Sequence, residues 1–395
     1  MTEETQVALE IPRQVRVLHA FKVYRPSHGG IVHIIEKLVR GLASHVQSRI
    51  LVSRERGLGK LEVVDGVSVR RTTSLGQLLA LPLSPTFPFQ FWRYAKQSDV
   101  VSYHYPFPLV DLAVFLWFPK QTALVIHWHS EIVAQAHMAR LLAPLIRHCL
   151  RRADRIIVAS SEHIRGSPFL AKLKEKCVVI PFGVDVEAWR SLTPGESARI
   201  DDLKQRYPQL IVAVGRLVPY KGFDTLLLAM RDVNATLLLI GSGPLEQALR
   251  KQAANLGIEK RVIFRGDVED PELKISLHAA TLFVLSSVSE NEAFGIVQLE
   301  AMACGKPIVN TALRTAVPWV ARHHQEALTV PPGDPRALAA ALTRLLNDPS
   351  MSQQLGDNGL ARARACFSND VFFARTLETY QASVRERRRI PCTLS

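Results

Sequence analysis

Two carboxylates eight positions apart, Glu292 and Glu300, lie in the stretch SENEAFGIVQLEAMACGKP that runs from Ser289 to Pro307. From Ile296 to Cys304 nearly every other residue is apolar. That pattern predicts a buried helix, with Glu292 in the loop before it and Glu300 in its second turn. An ionised carboxylate in such a helix is costly unless it is paired or hydrogen-bonded. A ligand whose hydroxyls donate to Glu300 meets that need. Gly295 lets a ligand reach the backbone at the helix start, where free N–H groups and the helix dipole favour an anion. Hydroxyl-accepting carboxylates beside an anion-binding helix start suit a sugar nucleotide. Ordinary surface salt bridges would use the same residue types, so the rest of the chain has to decide.

A second group sits earlier in the same half. Leu210–Gly215 predicts a buried strand, followed by RLVPYKG and a helix through Met230. Arg216 and Lys221 then stand at a strand's carboxyl end near a helix start. There a guanidinium fork and a mobile ammonium can clamp a diphosphate; plain surface charge is the alternative. In the N-terminal half, Val15–Ala20 predicts a strand, PSHGG a loop, and Ile31, Ile34, Ile35, Leu38, Val39 and Leu42 one stripe of a helix. Gly29 and Gly30 let a phosphate or sugar approach the backbone, although a structural turn would use the same glycines.

Thr122–Ile126 predicts a strand that runs into HWHSE. His127 and His129 fall on one face of it, and with Glu131 they raise the question of a metal. No further ligand follows at a recognisable spacing, and a histidine at a strand's carboxyl end belongs more naturally to a ligand crevice. The acidic run Asp267–Asp270 reads as a solvated loop. Nothing in the chain demands a metal or another cofactor.

Strands at Arg49–Ser53, Val67–Arg70, Val100–His104, Arg155–Ala159 and Lys176–Pro181 continue the first half. Thr236–Ile240, Val262–Phe264, Thr281–Ser286, Ile308–Asn310 and Leu328–Val330 continue the second. Helices are predicted after GSGP, with Pro244 at the first position, from Pro271, and over DPRALAAALTRLLND. Gly76–Tyr94 is apolar and loop-rich, with prolines that forbid a long helix. Ser191–Pro208 reads as a polar interdomain connection. Strands alternating with helices argue two doubly wound, Rossmann-like α/β domains, 1–190 and 191–368, facing across a ligand cleft. A chain of 395 residues is long enough for both.

The five cysteines are scattered without a C-x-x-C pair, as in a reduced cytosolic chain. The start MTEETQVALEIPRQ is acidic and polar, unlike a signal peptide, and the apolar run Phe107–Phe118 is too short to span a bilayer. Net charge is +13, from 49 Lys+Arg against 36 Asp+Glu, which favours anionic partners. No nucleic-acid motif accompanies the charge. The basic clusters Arg147–Arg155 and Arg385–Arg389 adjoin apolar helical patterns, so an anionic membrane surface is the expected partner.

GRLVPYKG, GSGPLEQAL, FRGDV and EAFGIVQLEAMACGKPIV follow one another in this order. In that combination the chain resembles the retaining glycosyltransferases of family 4, with the GT-B fold, from about Val15 to Tyr380. HGGI, HWHSEIVAQ and RRADRIIVAS are similar to bacterial mannosyltransferases of O-antigen and exopolysaccharide assembly that use GDP-mannose. The resemblance implies that Glu292 contacts the donor sugar hydroxyls and Glu300 the ribose hydroxyls. Arg216 and Lys221 would bind the diphosphate and stabilise the leaving group. Phe294, Gly295 and Ile296 would present backbone N–H groups, and Gly266 of FRGDV counts among the donor-binding residues. Gly29 and Gly30 would line the acceptor side near the β-phosphate, with His129 beside the anomeric centre. The last helix, about 369–388, would pack back on the N-terminal domain. Glu131, Phe182 and Ser286-Ser287 depart from the family's usual residues without removing a charge that the chemistry needs.

The implied reaction moves a hexose from a nucleoside diphosphate, GDP-mannose first, to a hydroxyl of a lipid-linked saccharide, with retention and without a metal. The implied place is the inner face of the cytoplasmic membrane. GDP-rhamnose, UDP-glucose and UDP-N-acetylglucosamine are alternative donors. A sugar-nucleotide epimerase or hydrolase on the same fold, or an inactive binding subunit, are alternative functions. A dehydrogenase would need G-x-G-x-x-G after the first strand, and PSHGGI does not supply it.

Overall fold

The structure, a computed structural model, describes residues 14–389 except 28, 79–80 and 130–135. Over these residues the chain forms two compact units. One is Met1–Ile157 with Leu173–Val178 and Phe373–Ser395; the other is Val158–Lys172 with Val179–Phe372.

The first unit is built on an eight-stranded sheet. Its strands are β1 (Val15–Ala20), β2 (Val46–Ser53), β3 (Lys60–Val64), β4 (Val67–Thr72), β5 (Val100–Tyr105), β6 (Ala123–Trp128), β7 (Arg155–Val158) and β8 (Cys177–Val179). Their order across the sheet is β8-β7-β6-β5-β1-β2-β4-β3. β2, β1, β5 and β6 pair in parallel, and β3 closes one edge antiparallel to β4. VVSYHY and ALVIHW are buried along their whole length, as central parallel strands covered on both faces must be. Chain order reverses between β1 and β5, which makes that pair the topological switch point.

The second unit has six parallel strands, β9 (Leu210–Val214), β10 (Thr236–Ile240), β11 (Val262–Gly266), β12 (Leu282–Val284), β13 (Ile308–Thr311) and β14 (Ala327–Val330), in the order β11-β10-β9-β12-β13-β14. Alternate residues of β9 feed two cores. Leu210 and Val212 join Leu238 and Phe283 on one face, while Ile211 and Ala213 join Leu237 and Leu239 on the other. Here the switch point lies between β9 and β12. Both units are of the doubly wound, Rossmann-like type that the alternation of strands and helices predicts.

Several expectations need correction. Ser191–Pro208, read only as a polar interdomain connection, holds a helix, Pro194–Arg206, with a complete capping box. Thr193 Oγ1 accepts from Glu196 N at 3.2 Å, and the Glu196 carboxylate accepts from Thr193 N at 2.8 Å. The signal was present as Thr-Pro-x-Glu, but the polar composition hid it. Gly76–Tyr94 holds the first residues of a ten-residue helix, Phe87–Lys96. Pro88 lies in its first turn, where a missing N–H costs nothing. The edge strand β3 escaped the reading because its side chains alternate without a buried face. The helix after GSGP starts at Glu246 and not at Pro244. The last helix is Asn369–Arg389, and from Phe373 onward it belongs to the first unit. Among the described residues no helix is long and apolar enough to cross a membrane.

Candidate functional site

In the second unit the switch point is made by two loops. Gly215–Gly222 follows β9, and 285–296 follows β12. Backbone and side chain join them. Val288 N donates to Tyr220 O at 2.8 Å, and Ser286 Oγ donates to Lys221 O at 2.9 Å. Gly222 has a φ of +64°, and a Cβ there would stand 2.2 Å from Ser286 O. Only glycine permits this approach.

The loops carry an ion pair. Lys221 Nζ lies 2.5 Å from Glu292 Oε2, and both side chains are 11% exposed. Ser287 Oγ donates to the same oxygen at 2.9 Å. Glu292 Oε2 is therefore used within the protein, which leaves Oε1 to accept from a ligand hydroxyl. Lys221 keeps N–H donors beyond the one given to Glu292. Arg216, on the same loop, is exposed, and its guanidinium pairs with no described residue.

The predicted helix after Glu292 is present as Val297–Ala303. It starts one residue later than expected, which places Glu300, half-buried, in its first turn and not its second. Gly295 has a φ of +71°, and a Cβ there would meet Leu285 and Gln298 within 2.8 Å. Packing thus needs this glycine as much as a ligand would. The Phe294 ring is buried edge-on to Phe182 at 5.0 Å, so only its backbone is left for a ligand. Ile296 is half-buried just before the helix. Gly266 ends β11, with open space around it, and accepts from Gly241 N at 2.8 Å. Arg216, Lys221, Gly266, Glu292, Phe294, Gly295, Ile296 and Glu300 thus all belong to the second unit. Of these, Lys221 and Glu292 are in direct contact.

The other predicted residues belong to the first unit. Gly29 precedes the helix Gly30–Gly41, and both glycines are exposed. His129 follows β6 and is 8% exposed. The rings of His127 and His129 are nearly parallel, 6.2 Å apart, as alternate positions predict. Their partners were not foreseen. His127 Nε2 is 3.0 Å from Tyr380 Oη, and His129 Nε2 is 3.0 Å from His104 Nδ1. His19 and Ser102 complete the group. Histidines near the ends of VRVLHA, VVSYHY and ALVIHW were the available signal. Burial lowers the pKa of His19 to about 3 and holds those of His104 and His127 well below the usual imidazole range. These rings are neutral near pH 7. Among the described residues no group of three or more His, Cys, Asp or Glu side chains is arranged to hold a metal ion, and Glu131 lies outside those residues.

Residues 28–188 match the family described as Glycosyltransferase Family 4, and residues 196–362 that described as Glycosyl transferases group 1. The D-rhamnosyltransferase WbpZ of Pseudomonas aeruginosa is 31% identical over 357 residues, 90% of this chain and 92% of the relative. The O-antigen chain mannosyltransferase C of Escherichia coli is 28% identical over 360 residues, 90% and 95% of the two chains. The fold is similar to that of a sucrose-phosphate synthase from Thermosynechococcus elongatus, with a TM-score of 0.77 at 21% identity over 94% of this chain and all of the other, 100%. It is also similar to Anabaena Alr3699/HepE in complex with UDP-glucose, with a TM-score of 0.74 at 20% identity over 93% and 100% of the chains. These solved structures are GT-B glycosyltransferases.

The buried pair generates a stability prediction. Lys221→Met leaves the Glu292 carboxylate without its cation and should cost about 3 kcal/mol or more. Adding Glu292→Gln should restore part of that loss. Urea denaturation of both single variants and the double variant measures the coupling. Additive losses would show that the two side chains do not interact.

Proposed function

The chain belongs to the family 4 glycosyltransferases, and we propose that it transfers mannose from GDP-mannose to a hydroxyl of a lipid-linked saccharide in polysaccharide assembly. The mannosyltransferase and rhamnosyltransferase relatives support the sugar class and the pathway type. The observation that carries the reading is the Lys221–Glu292 pair at the switch point, with Arg216, which pairs with no described residue, on the same loop as Lys221. Glu292 Oε1 accepts from a hydroxyl of the donor sugar. Lys221 and Arg216 face the diphosphate and offset the charge that builds on it as it leaves. Glu300, in the first turn of the next helix, accepts from the ribose hydroxyls. Such a site needs no metal, since cationic side chains supply the compensating charge. The proposed course is retention, with attack on the face from which the diphosphate departs. In this reading Gly29, Gly30 and His129 serve the acceptor and the sugar.

The enzyme is proposed to work as a peripheral protein on an anionic, cytoplasmic membrane face, where a lipid-linked acceptor would be found. Support comes from the helices Pro108–Leu116 and Ala136–Arg152. Phe115, Leu116 and Trp117 are 53%, 42% and 57% exposed, beside exposed Lys120, Arg147 and Arg151. The Phe115 ring lies edge-on to His148 at 5.2 Å, so the apolar and basic parts adjoin. From 106 to 153 the acids are Asp111 and Glu131. Asp111 is buried, and burial pushes its pKa up to about 7. Aromatic side chains amid cations suit the headgroup region of an anionic bilayer.

Two measurements check these readings. Thermal unfolding with chelator present should shift upward with GDP and not with UDP, by an amount set by RT ln(1 + [L]/Kd). Arg216→Ala should shrink that shift. A shift with UDP alone would replace the donor, and no shift with either in a folded sample would favour an inactive binding subunit. Sedimentation with phosphatidylglycerol vesicles should be strong at low salt and fall as salt rises. No binding, or binding that salt leaves unchanged, contradicts the membrane reading.

A further inference from the structure

Within the first unit, a pocket lies apart from the carboxyl ends of the strands. Ile50, Val52 and Val69 pack with Ile35 and Val39 of the helix Gly30–Gly41. Successive strand residues face opposite ways, so Arg49, Ser68 and Arg70 lie on the other side of the sheet. Arg49 stands directly opposite Ser68 across β2 and β4, in the amino-terminal half of each strand. The end of the helix Phe87–Lys96 brings Arg93, Tyr94 and Gln97 to the same place. With Leu61 of β3 these residues border a cavity of about 430 Å3. Arg49 Nη1 donates to Gln97 Oε1 at 3.0 Å, which holds the guanidinium at the cavity and leaves its remaining N–H donors for a ligand.

The charge here is one-sided. Among the described residues no Asp or Glu lines the cavity, and Arg49, Arg70 and Arg93 form no ion pair. The acids of the adjoining segments are taken up elsewhere. Glu62 pairs with Arg71 at 2.5 Å, Asp65 with Arg25 and Arg40 at 3.0 Å each, and Asp99 with Arg16 at 3.1 Å. Arg70 Nε is buried and has no hydrogen-bond partner among the described residues. Cations gathered without counter-charge repel one another and attract an anion, and a guanidinium fork fits the oxygens of a phosphate. Beside the cations lies an apolar edge. Leu61 and Val63 are 58% and 73% exposed, and they stand opposite Arg70 and Ser68 across β3 and β4, on the cavity's side of the sheet.

We propose that this pocket binds the phosphate of an anionic lipid headgroup. The phosphate sits on Arg49 and Arg93, and the first carbons of the chains lie against Leu61 and Val63, which removes apolar surface from water. Ser68, Tyr94 and Gln97 offer neutral hydrogen-bonding groups to the oxygens between the two. Free phosphate would use the same arginines without the apolar edge. The site rests neither on the glycosyltransferase reading nor on the aromatic side chains at Phe115–Trp117.

The test is calorimetric titration of the full chain with dihexanoyl phosphatidic acid, kept below its micelle concentration. One lipid should bind per chain, more weakly as salt rises. Arg49→Gln combined with Arg93→Gln should weaken binding about 10-fold or more, since each change removes a charge-assisted contact. Leu61→Asn should weaken the lipid and leave inorganic phosphate, a poorer ligand, unchanged. Leu61 is exposed, so this variant tests the pocket even where the double variant fails to fold. Dihexanoyl phosphatidylcholine should bind less well, because its quaternary ammonium meets the arginines. No lipid binding, or binding that the folded double variant retains in full, overturns the proposal. Inorganic phosphate that binds as tightly as the lipid, with Leu61→Asn affecting neither, overturns the lipid assignment and leaves a free-phosphate site. The predicted titrations in a wild type that neither GDP nor UDP stabilises would uphold the pocket and reject the glycosyltransferase reading.

Discussion

The ion pair between Lys221 and Glu292 is the constraint around which the second unit's ligand-facing end is arranged. β9 and β12 are neighbours in the sheet but far apart in the chain, and their loops leave in diverging connections. A charge pair with both side chains 11% exposed ties those loops at one point. The pair is tolerable in so little water because Ser287 also donates to the carboxylate. Gly222 follows from it as well. The lysine can reach across only if the two backbones come as close as glycine allows. What the pair leaves over, one carboxylate oxygen and spare ammonium protons, is what a sugar diphosphate can use.

The first unit meets the same topological problem with neutral groups. Its switch point lies between β1 and β5, and the polar residues there are His19, Ser102 and His104. Burial keeps these imidazoles uncharged, so direction is carried by hydrogen-bond polarity and not by charge.

Much of this was legible in the sequence. Buried strands such as LIVAV and TLLLI, each followed by glycine and a helix, announce parallel α/β units. Asp334 before Pro335 marks a helix start, and the structure shows its side chain accepting from Arg336 N and Ala337 N. Lys221 and Glu292 were each singled out from the sequence, but not as partners. They are 71 positions apart, and a contact of that range depends on strand order, which local patterns do not encode. His104 and Tyr380 were overlooked for the same reason, since neither means much until the last helix is laid against β5. The helix at Pro194–Arg206 was missed for a different reason. Its face toward solvent is so polar that the capping signal was outweighed by composition.

The central claim is that the Lys221 and Glu292 loops hold a nucleoside diphosphate sugar for transfer, and one assay reaches it directly. The enzyme would be incubated with GDP-mannose, chelator and a lipid-linked saccharide extract, and both GDP release and acceptor mass followed. The account predicts GDP release that depends on the acceptor, matched by the gain of one hexose on the saccharide. GDP-mannose consumed equally without acceptor, with free sugar or an isomer as product, would contradict it and identify a hydrolase or epimerase instead.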